Sequence, residues 1–168
     1  MAQIHLVVGP VGSGKSTFAR KLCHERNAVL LNLDEWMTRL FSPDRPEAGI
    51  VEWYVERASR CVDQIWQITL DLLRARIDVV LEIGLIRSHD REALYSRVDA
   101  EALDLTIHVI DAPRELRRAR VARRNIERGA TFAMEVSPRL FELASDMWEP
   151  LTEIECDGRD VRFVSVDG

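Results

Sequence analysis

The sequence predicts an α/β fold in which a five-stranded parallel sheet is flanked by helices, within a single domain over residues 1–168. Short apolar segments of strand length alternate with longer segments of helical pattern, which is typical of parallel sheets with helical crossovers. Residues 78–83 form a nearly unbroken apolar run, as expected for a strand covered on both faces. In such folds the ligand lies at the carboxyl ends of the strands, so polar residues that follow strands are the candidate site residues.

The five strands are recognised as short apolar runs bounded by turn or helix signals. The first run alternates and leads into a glycine-rich loop, and the second is short and buried in character. The runs are residues 4–8, 28–32, 78–83, 105–110 and 161–166.

The helices of the first half are predicted from spacing and end signals. The first begins at Ser16 and ends near Asn27, and the second begins at Asp34 with acids in its first turn, as the helix dipole favours. Prolines within residues 42–46 end the second helix. Residues 51–72 carry one apolar stripe at helical spacing, which predicts a long helix.

The helices of the second half have clear start signals. Ser88 has the character of an N-cap. Pro113 opens an arginine-rich helix that ends near Arg128, where Gly129 can terminate it, and Ser137 caps a last helix that runs to about residue 148.

The loop after the first strand fits the phosphate-binding motif G-x-x-x-x-G-K-[ST] and opens into a helix. Its backbone N–H groups and the positive end of that helix form an anion cradle. Lys15 would reach the β- and γ-phosphates of ATP, and the Ser16 hydroxyl would sit on Mg²⁺. The P-loop NTPase fold is therefore expected. The predicted nucleotide-binding residues of this segment are Gly9, Pro10, Val11, Gly12, Ser13, Gly14, Lys15, Ser16 and Thr17.

Acidic residues follow three of the strands and would face the phosphate loop. Asp34 is the candidate base, which would accept a proton from a substrate hydroxyl, although an ordinary helix-start acid is the alternative. Glu82 could hold Mg²⁺ through water, or could serve substrate binding or structure. Asp111 is interpreted as a cap of the helix that follows it.

Arginines crowd the helix after Pro113. Arg120, Arg124 and Arg128 are spaced four apart and therefore share a face. Arginine forks neutralise phosphate oxygens well, so Arg124 and Arg128 are assigned to catalysis, with Arg120 and Arg124 on the nucleotide. Gly129 and residues 131–136 could let this short arginine-rich segment move as a lid.

The sequence resembles the small P-loop kinases related to polynucleotide kinases, zeta-type toxins and chloramphenicol phosphotransferase, over about residues 3–150. Those polynucleotide kinases carry an N-x-D-[DE]-aromatic segment whose Asp is the general base, and Asn32-Leu33-Asp34-Glu35-Trp36 matches it. Their lid motif R-N-x-x-R-G, with two ATP-binding arginines, is matched by residues 124–129. The resemblance implies catalytic roles for Asp34, Lys15, Arg124 and Arg128.

The sequence departs from the polynucleotide kinases after the third strand. There they carry an acid followed by Thr-Asn, whereas this chain has Glu82-Ile83-Gly84, which cannot make the same polar contacts. In that family, an arginine a short way downstream of the catalytic Asp contacts the phosphate of the acceptor. In this chain the nearby arginine is Arg39, which lies at a different spacing. The assigned substrate-binding residues are Asp34, Arg39, Glu82 and Arg87.

These features together predict a kinase that transfers the γ-phosphate of Mg·ATP to a hydroxyl of a small molecule, such as a nucleoside, a nucleotide sugar or an antibiotic. One alternative is a 5′-hydroxyl polynucleotide kinase. Another is a nucleotide-dependent switch or hydrolase that acts on a protein partner. A GTPase is disfavoured because the chain has no N-K-x-D segment.

Composition narrows the setting of this activity. A net charge of −5 argues against a general nucleic-acid coat protein. No apolar run approaches membrane-spanning length, and the first strand begins too early for a signal peptide. The three scattered cysteines are expected to be reduced thiols, which favours a cytoplasmic location. A monomer or a homodimer is expected.

Overall fold

The sheet is parallel throughout, as predicted, in a computed structural model that describes residues 1–130 and 135–165. The strand order is β2-β3-β1-β4-β5. The strands are β1 (Ile4–Val8), β2 (Val29–Asn32), β3 (Val79–Glu82), β4 (Leu105–Asp111) and β5 (Asp160–Ser165). The predicted end of β5 at residue 166 lies outside the described residues.

Helices connect the strands on both sides of the sheet. The second helix along the chain continues into a π-helical turn (Met37–Phe41) and then a 3₁₀ turn (Ser42–Asp44). The helices are α1 (Lys15–Arg26), α2 (Leu33–Trp36), α3 (Ile50–Arg74), α4 (Ser88–Ala100), α5 (Arg114–Glu127), α6 (Pro138–Asp146) and α7 (Glu153–Cys156).

Several helix ends differ from the sequence prediction. The N-cap of α4 is Arg87, because the N–H and hydroxyl of Ser88 are both taken by the Glu149 carboxylate. Helix α5 ends on Arg128, which adopts the left-handed conformation (φ 45°) that was expected of Gly129. Helix α6 ends at Asp146, short of residue 148. The one-turn helix α7 was not predicted.

The core explains why the central strands are so apolar. All residues of β1 and β3 are buried. One face of the sheet packs Leu6, Leu81 and Ile107 against α3 and α4, and the other packs Val7, Val80 and Ile110 against α1. Because both faces of β1 and β3 are covered, no residue of these strands points its side chain into solvent, and a nearly unbroken apolar run results.

The strand order also positions the functional end of the sheet. Because β3 lies between β2 and β1, its last residue, Glu82, pairs in register with Asn32 and lies beside the loop that leaves β1. The phosphate loop, the β2–α2 junction and the β3–α4 loop therefore meet at one edge, where the carboxyl ends of parallel strands converge.

A C-terminal segment braces the β3–α4 loop from behind. Arg91 of α4 is fully buried and donates to both oxygens of Glu155, Nε at 2.7 Å and Nη2 at 3.0 Å. The N–H of Glu149 donates to the Ile86 carbonyl at 2.9 Å. We refer to residues 148–155 as the C-terminal brace.

Candidate active site

The phosphate loop depends on glycines that other residues cannot replace. A Cβ on Gly9 would lie 2.0 Å from the Ile110 carbonyl oxygen, and one on Gly12 would lie 2.8 Å from the Arg117 carbonyl oxygen. Gly14 caps α1 in a left-handed conformation (φ 103°), and the first turn of α1 holds no acid. Without an acid in that turn, the positive end of α1 and the Lys15 charge are left to an anion in the cavity.

Two arginines of α5 fasten that helix to the phosphate loop. The buried Arg117 donates from Nη1 to the Val11 carbonyl at 3.0 Å and to the Ser145 hydroxyl at 3.1 Å. Arg120 donates to the Ser13 carbonyl at 3.3 Å. Arg117 was not assigned to the site from sequence. Its spacing of four from the buried Val121 is the signal that places it on the inner face of the helix.

Glu82 lies at the centre of a small polar cluster. Its two carboxylate oxygens accept hydrogen bonds from the Ser16 hydroxyl at 2.7 Å and from the Asn32 amide at 2.8 Å. Burial raises the pKa of Glu82, and the Ser16 hydrogen bond and the Lys15 charge oppose that rise. Asn32 also accepts from the Glu35 N–H at 2.9 Å, which caps α2.

The Ser16–Glu82 pair fits a magnesium site. Mg²⁺ is commonly held by one or two protein oxygens together with substrate phosphates, and a hydroxyl beside a carboxylate at a phosphate loop supplies such oxygens. In residues 1–130 and 135–165, no group of three or more His, Cys, Asp or Glu side chains is arranged to hold a metal. The phosphates of a bound nucleotide would therefore have to complete the coordination.

Asp34 projects into the same cleft from the first turn of α2. Its side chain is exposed to the solvent of the cleft. Desolvation by the walls of the cleft raises its pKa, while the charges of Lys15 and Arg124 oppose the rise. The two nearby positive charges favour the ionised carboxylate, which is the form that can accept a proton.

Lys15 and Arg124 bring positive charge to this cleft from two helices. The Lys15 ammonium donates to the Pro10 carbonyl at 2.9 Å. Burial lowers the pKa of both cations, and the carboxylates of Asp34 and Glu82 oppose the fall. Arg124 Nε is buried without a hydrogen-bond partner among the described residues, which leaves a donor for an incoming anion.

A cavity of about 370 Å³ joins these groups. The predicted site residues that line it are Val11, Gly12, Gly14, Lys15, Ser16, Thr17, Asp34, Glu82, Arg120 and Arg124. Gly9, Pro10 and Ser13 shape the loop behind it.

Three predicted arginines lie outside the lining of this cavity. Arg39 is exposed on the π-helical turn, and Arg87 is exposed at the N-cap of α4. Arg128 is exposed and lies 3.6 Å from the Glu135 carboxylate. The lid role predicted for residues 131–134 lies outside the described residues.

Tyr54, on the apolar stripe of α3, is a site neighbour that sequence reasoning did not assign. Its pKa is raised to about 12 by desolvation of the phenol and by the nearby charge of Asp34. The apolar stripe of α3 extends beyond the core at its N-terminal end, where Val51, Tyr54 and Val55 are exposed. Periodicity alone cannot tell a core-facing stripe from one that borders a cleft.

The family profile AAA_33, described as an AAA domain, matches residues 4–140. Among solved structures, a candidate kinase from Chloroflexus aurantiacus J-10-fl is 18% identical with a TM-score of 0.73, covering 98% of this chain and 85% of that one.

Two further structures have the same fold. A gluconokinase from Sinorhizobium meliloti 1021 is 15% identical (TM-score 0.62; 99% and 83% covered). The Pnkp1/Rnl/Hen1 RNA repair complex contains a chain that is 25% identical (TM-score 0.63), of which this chain covers only 43%.

No curated protein matches the sequence significantly. Within the described ranges, no helix combines the length and apolar character that a membrane crossing requires. The profile match covers well over half of the chain, and the parallel sheet with its phosphate loop agrees with it. The chain therefore belongs to the AAA_33 family and has the P-loop NTPase fold.

Proposed function

We propose that this chain is an ATP-dependent phosphotransferase that acts on a hydroxyl group of a small molecule. The observation that carries this proposal is the position of Asp34. Its carboxylate lines the same cavity as Lys15 of the phosphate loop and as Arg124, and the charges of both act on it. A carboxylate in this position is suited to act as the base for an acceptor hydroxyl. The kinase names of the neighbouring structures support the same reaction class.

Each charged group has a role in this scheme. The phosphate-loop N–H groups and Lys15 would bind the nucleotide phosphates, and Arg124 would stabilise charge on the transferring group. Asp34 would orient the acceptor hydroxyl and take its proton. Ser16 and Glu82 would hold Mg²⁺, which neutralises charge on the β- and γ-phosphates. Arg128 would join them only if its side chain turned toward the cavity.

The test is transfer of label from γ-labelled ATP to a panel of nucleosides, sugars, antibiotics and 5′-hydroxyl oligonucleotides. We expect label on one acceptor class. Asp34→Asn should retain ATP binding but reduce transfer at least ~100-fold, as is typical when a general base is lost. Lys15→Ala should abolish tight Mg·ATP binding, measured by calorimetry.

Asp111→Asn is the matched control, because Asp111 also ends a strand and accepts a hydrogen bond from the Ala112 N–H at 2.7 Å, but is not among the described residues that line the cavity. It should transfer label like the parent protein. Normal transfer by Asp34→Asn would refute the assigned base. Free phosphate released equally with every acceptor would instead indicate a hydrolase or switch.

A further inference from the structure

The cations of the active-site cavity are concentrated on its nucleotide side. Lys15 belongs to the phosphate loop, and Arg120, Arg123 and Arg124 belong to α5, which is fastened to that loop. These positive charges match the phosphates of a nucleotide. Lys15 and Arg124 also act on Asp34, on the wall formed by α2 and the β3–α4 loop, but a bound nucleotide would engage both cations with its phosphates.

The wall next to Asp34 has a different character. It is formed by Asp34 and Glu35 of α2, Glu82 at the end of β3, and Gly84 and Ile86 of the β3–α4 loop. We call these five residues the acceptor wall. Its ionisable groups are all acids, and the rest of its surface is a glycine and an apolar side chain.

One cation reaches this wall from α1, and it is already paired. The Arg20 guanidinium donates to the Glu35 carboxylate, so its charge is balanced by a neighbour on the wall itself. The arginines that the sequence assigned to substrate binding, Arg39 and Arg87, are not among the described residues that line the cavity.

The long helix beside Asp34 adds no available cation either. Arg57 is one turn beyond Tyr54, and its guanidinium lies 4.7 Å from the Trp53 ring centroid and 5.9 Å from that of Phe41. Arg57 also donates to the Trp53 carbonyl at 3.2 Å. Tyr54, on the same helix, is close enough to Asp34 for that charge to raise the pKa of its phenol, and it brings no positive charge.

We infer that the acceptor is a neutral or cationic alcohol that carries no phosphate or carboxylate near its reacting hydroxyl. This inference rests on the proposed phosphotransferase function and narrows its substrate. An anionic group held against the acceptor wall would meet three carboxylates. The cations that act on those carboxylates would already be engaged, Lys15 and Arg124 by the nucleotide phosphates and Arg20 by Glu35, so no arginine fork would be available to the group. Of the acceptors considered from sequence, nucleosides and amine-bearing antibiotics fit, whereas nucleotide sugars and 5′-hydroxyl oligonucleotides do not.

The experiment uses acceptors on a common skeleton that differ in one charged substituent. One set is glucose, glucosamine and glucose 1-phosphate, and another is adenosine, 3′-amino-3′-deoxyadenosine and adenosine 3′-phosphate. Binding to the full chain saturated with Mg·ADP is measured by saturation-transfer NMR, and label transfer from γ-labelled ATP is measured in parallel. The binding measurement does not require that the reaction occur.

A variant tests the charge of the wall directly. Ile86→Lys adds a cation to the acceptor wall, whereas Ile154→Lys makes the same change on the exposed side of α7 and serves as the control. We expect each anionic compound to bind at least ~10-fold more weakly than its neutral or amine counterpart, given the repulsion between like charges. Ile86→Lys should reduce that difference, and Ile154→Lys should leave it unchanged.

The outcomes separate the inference from the proposed function. An anionic compound that binds as tightly as its neutral counterpart overturns the inference, whether or not it is phosphorylated. A charge preference that Ile154→Lys reduces as much as Ile86→Lys also overturns it. Binding with the expected preference but without transfer to any compound supports the inference about the wall and counts against the phosphotransferase proposal.

Discussion

At the scale of single residues, the site depends on the absence of side chains as much as on their presence. Gly9 lies against the Ile110 backbone near the end of β4, and Gly12 lies against the Arg117 backbone in α5. These approaches let the loop N–H groups face the cavity while its outer surface packs on two neighbouring elements. Motif matching identifies the glycines, but only the packed structure says which neighbour excludes a methyl group.

The sharpest consequence concerns Gly9→Ala. Its Cβ would lie 2.0 Å from the Ile110 carbonyl oxygen, which is a backbone atom and cannot turn aside. We expect the free energy of unfolding to fall by at least ~1–3 kcal/mol, the usual cost of overpacking, and ATP affinity to be lost with the loop geometry. Urea denaturation and calorimetric titration with Mg·ATP measure the two effects.

Gly129→Ala is the corresponding control, because Gly129 lines the same cavity and, among the described residues, no atom outside its chain neighbours lies within 4 Å of a Cβ built there. It should change neither quantity appreciably. Equal losses in the two variants would show that the approach to Ile110 is not what makes Gly9 necessary.

At the scale of elements, the C-terminal brace is the feature with the clearest physical role. The Arg91 and Glu155 side chains are 0% and 2% exposed, so solvent does not screen their charges. Each charge is instead balanced by the other. Arg91 also lies 5.4 Å from the Trp148 ring centroid. The brace holds the β3–α4 loop, and with it Gly84 and Ile86 of the acceptor wall.

Removing one charge of this pair should be costly. Glu155→Gln keeps the shape of the side chain but leaves the buried Arg91 charge uncompensated, so we expect a loss of ~3–5 kcal/mol in the free energy of unfolding. Glu153→Gln, an exposed position on the same helix, should have almost no effect. Chemical denaturation of both variants measures this, and similar stabilities would contradict a stabilising role for the pair.

At the scale of the whole molecule, two buried histidines lie side by side on neighbouring strands of the sheet. His5 Nδ1 and His108 Nε2 lie 3.2 Å apart, across the paired strands β1 and β4. Gln3 lies 3.2 Å from the other ring nitrogen of His5. The charged groups around the pair are Asp78, Asp160, Arg26 and Arg162.

This arrangement predicts a stability that falls in acid. Burial lowers the pKa of both rings, that of His108 to about 4, whereas an unfolded histidine titrates near pH ~6.5. Protonation therefore favours the unfolded chain, and the contribution of His108, about 3 kcal/mol, is lost as the pH falls from ~6.5 toward 4. The free energy of unfolding at pH 7.5 and at pH 4.5 measures it.

His108→Gln should show a smaller loss between those pH values than the parent protein, because the buried titrating group is gone. His24→Gln, at an exposed position, should lose as much as the parent. A pH dependence unchanged by His108→Gln would exclude this source of acid sensitivity.

The sequence predicted most of the fold because its signals are local. Each strand is a short apolar run, and each helix start carries a proline, a cap or an acid in its first turn. The helix ends were less predictable, since Arg128 takes the left-handed position beside an available glycine and Ser88 is captured by Glu149, sixty-one residues away. Contacts of that range leave no trace in a local window.

The candidate site divides in the same way. By itself, the sequence determined the phosphate loop, with Lys15 and Ser16, and the motif that carries Asp34, because these depend on spacing within one strand–loop–helix segment. Only the tertiary structure decided that Arg124 lines the cavity while Arg39 and Arg87 do not, and that Glu82 meets both Ser16 and Asn32. Those relations depend on the order of strands in the sheet and on how α5 packs on the loop, which bring together residues far apart in the chain.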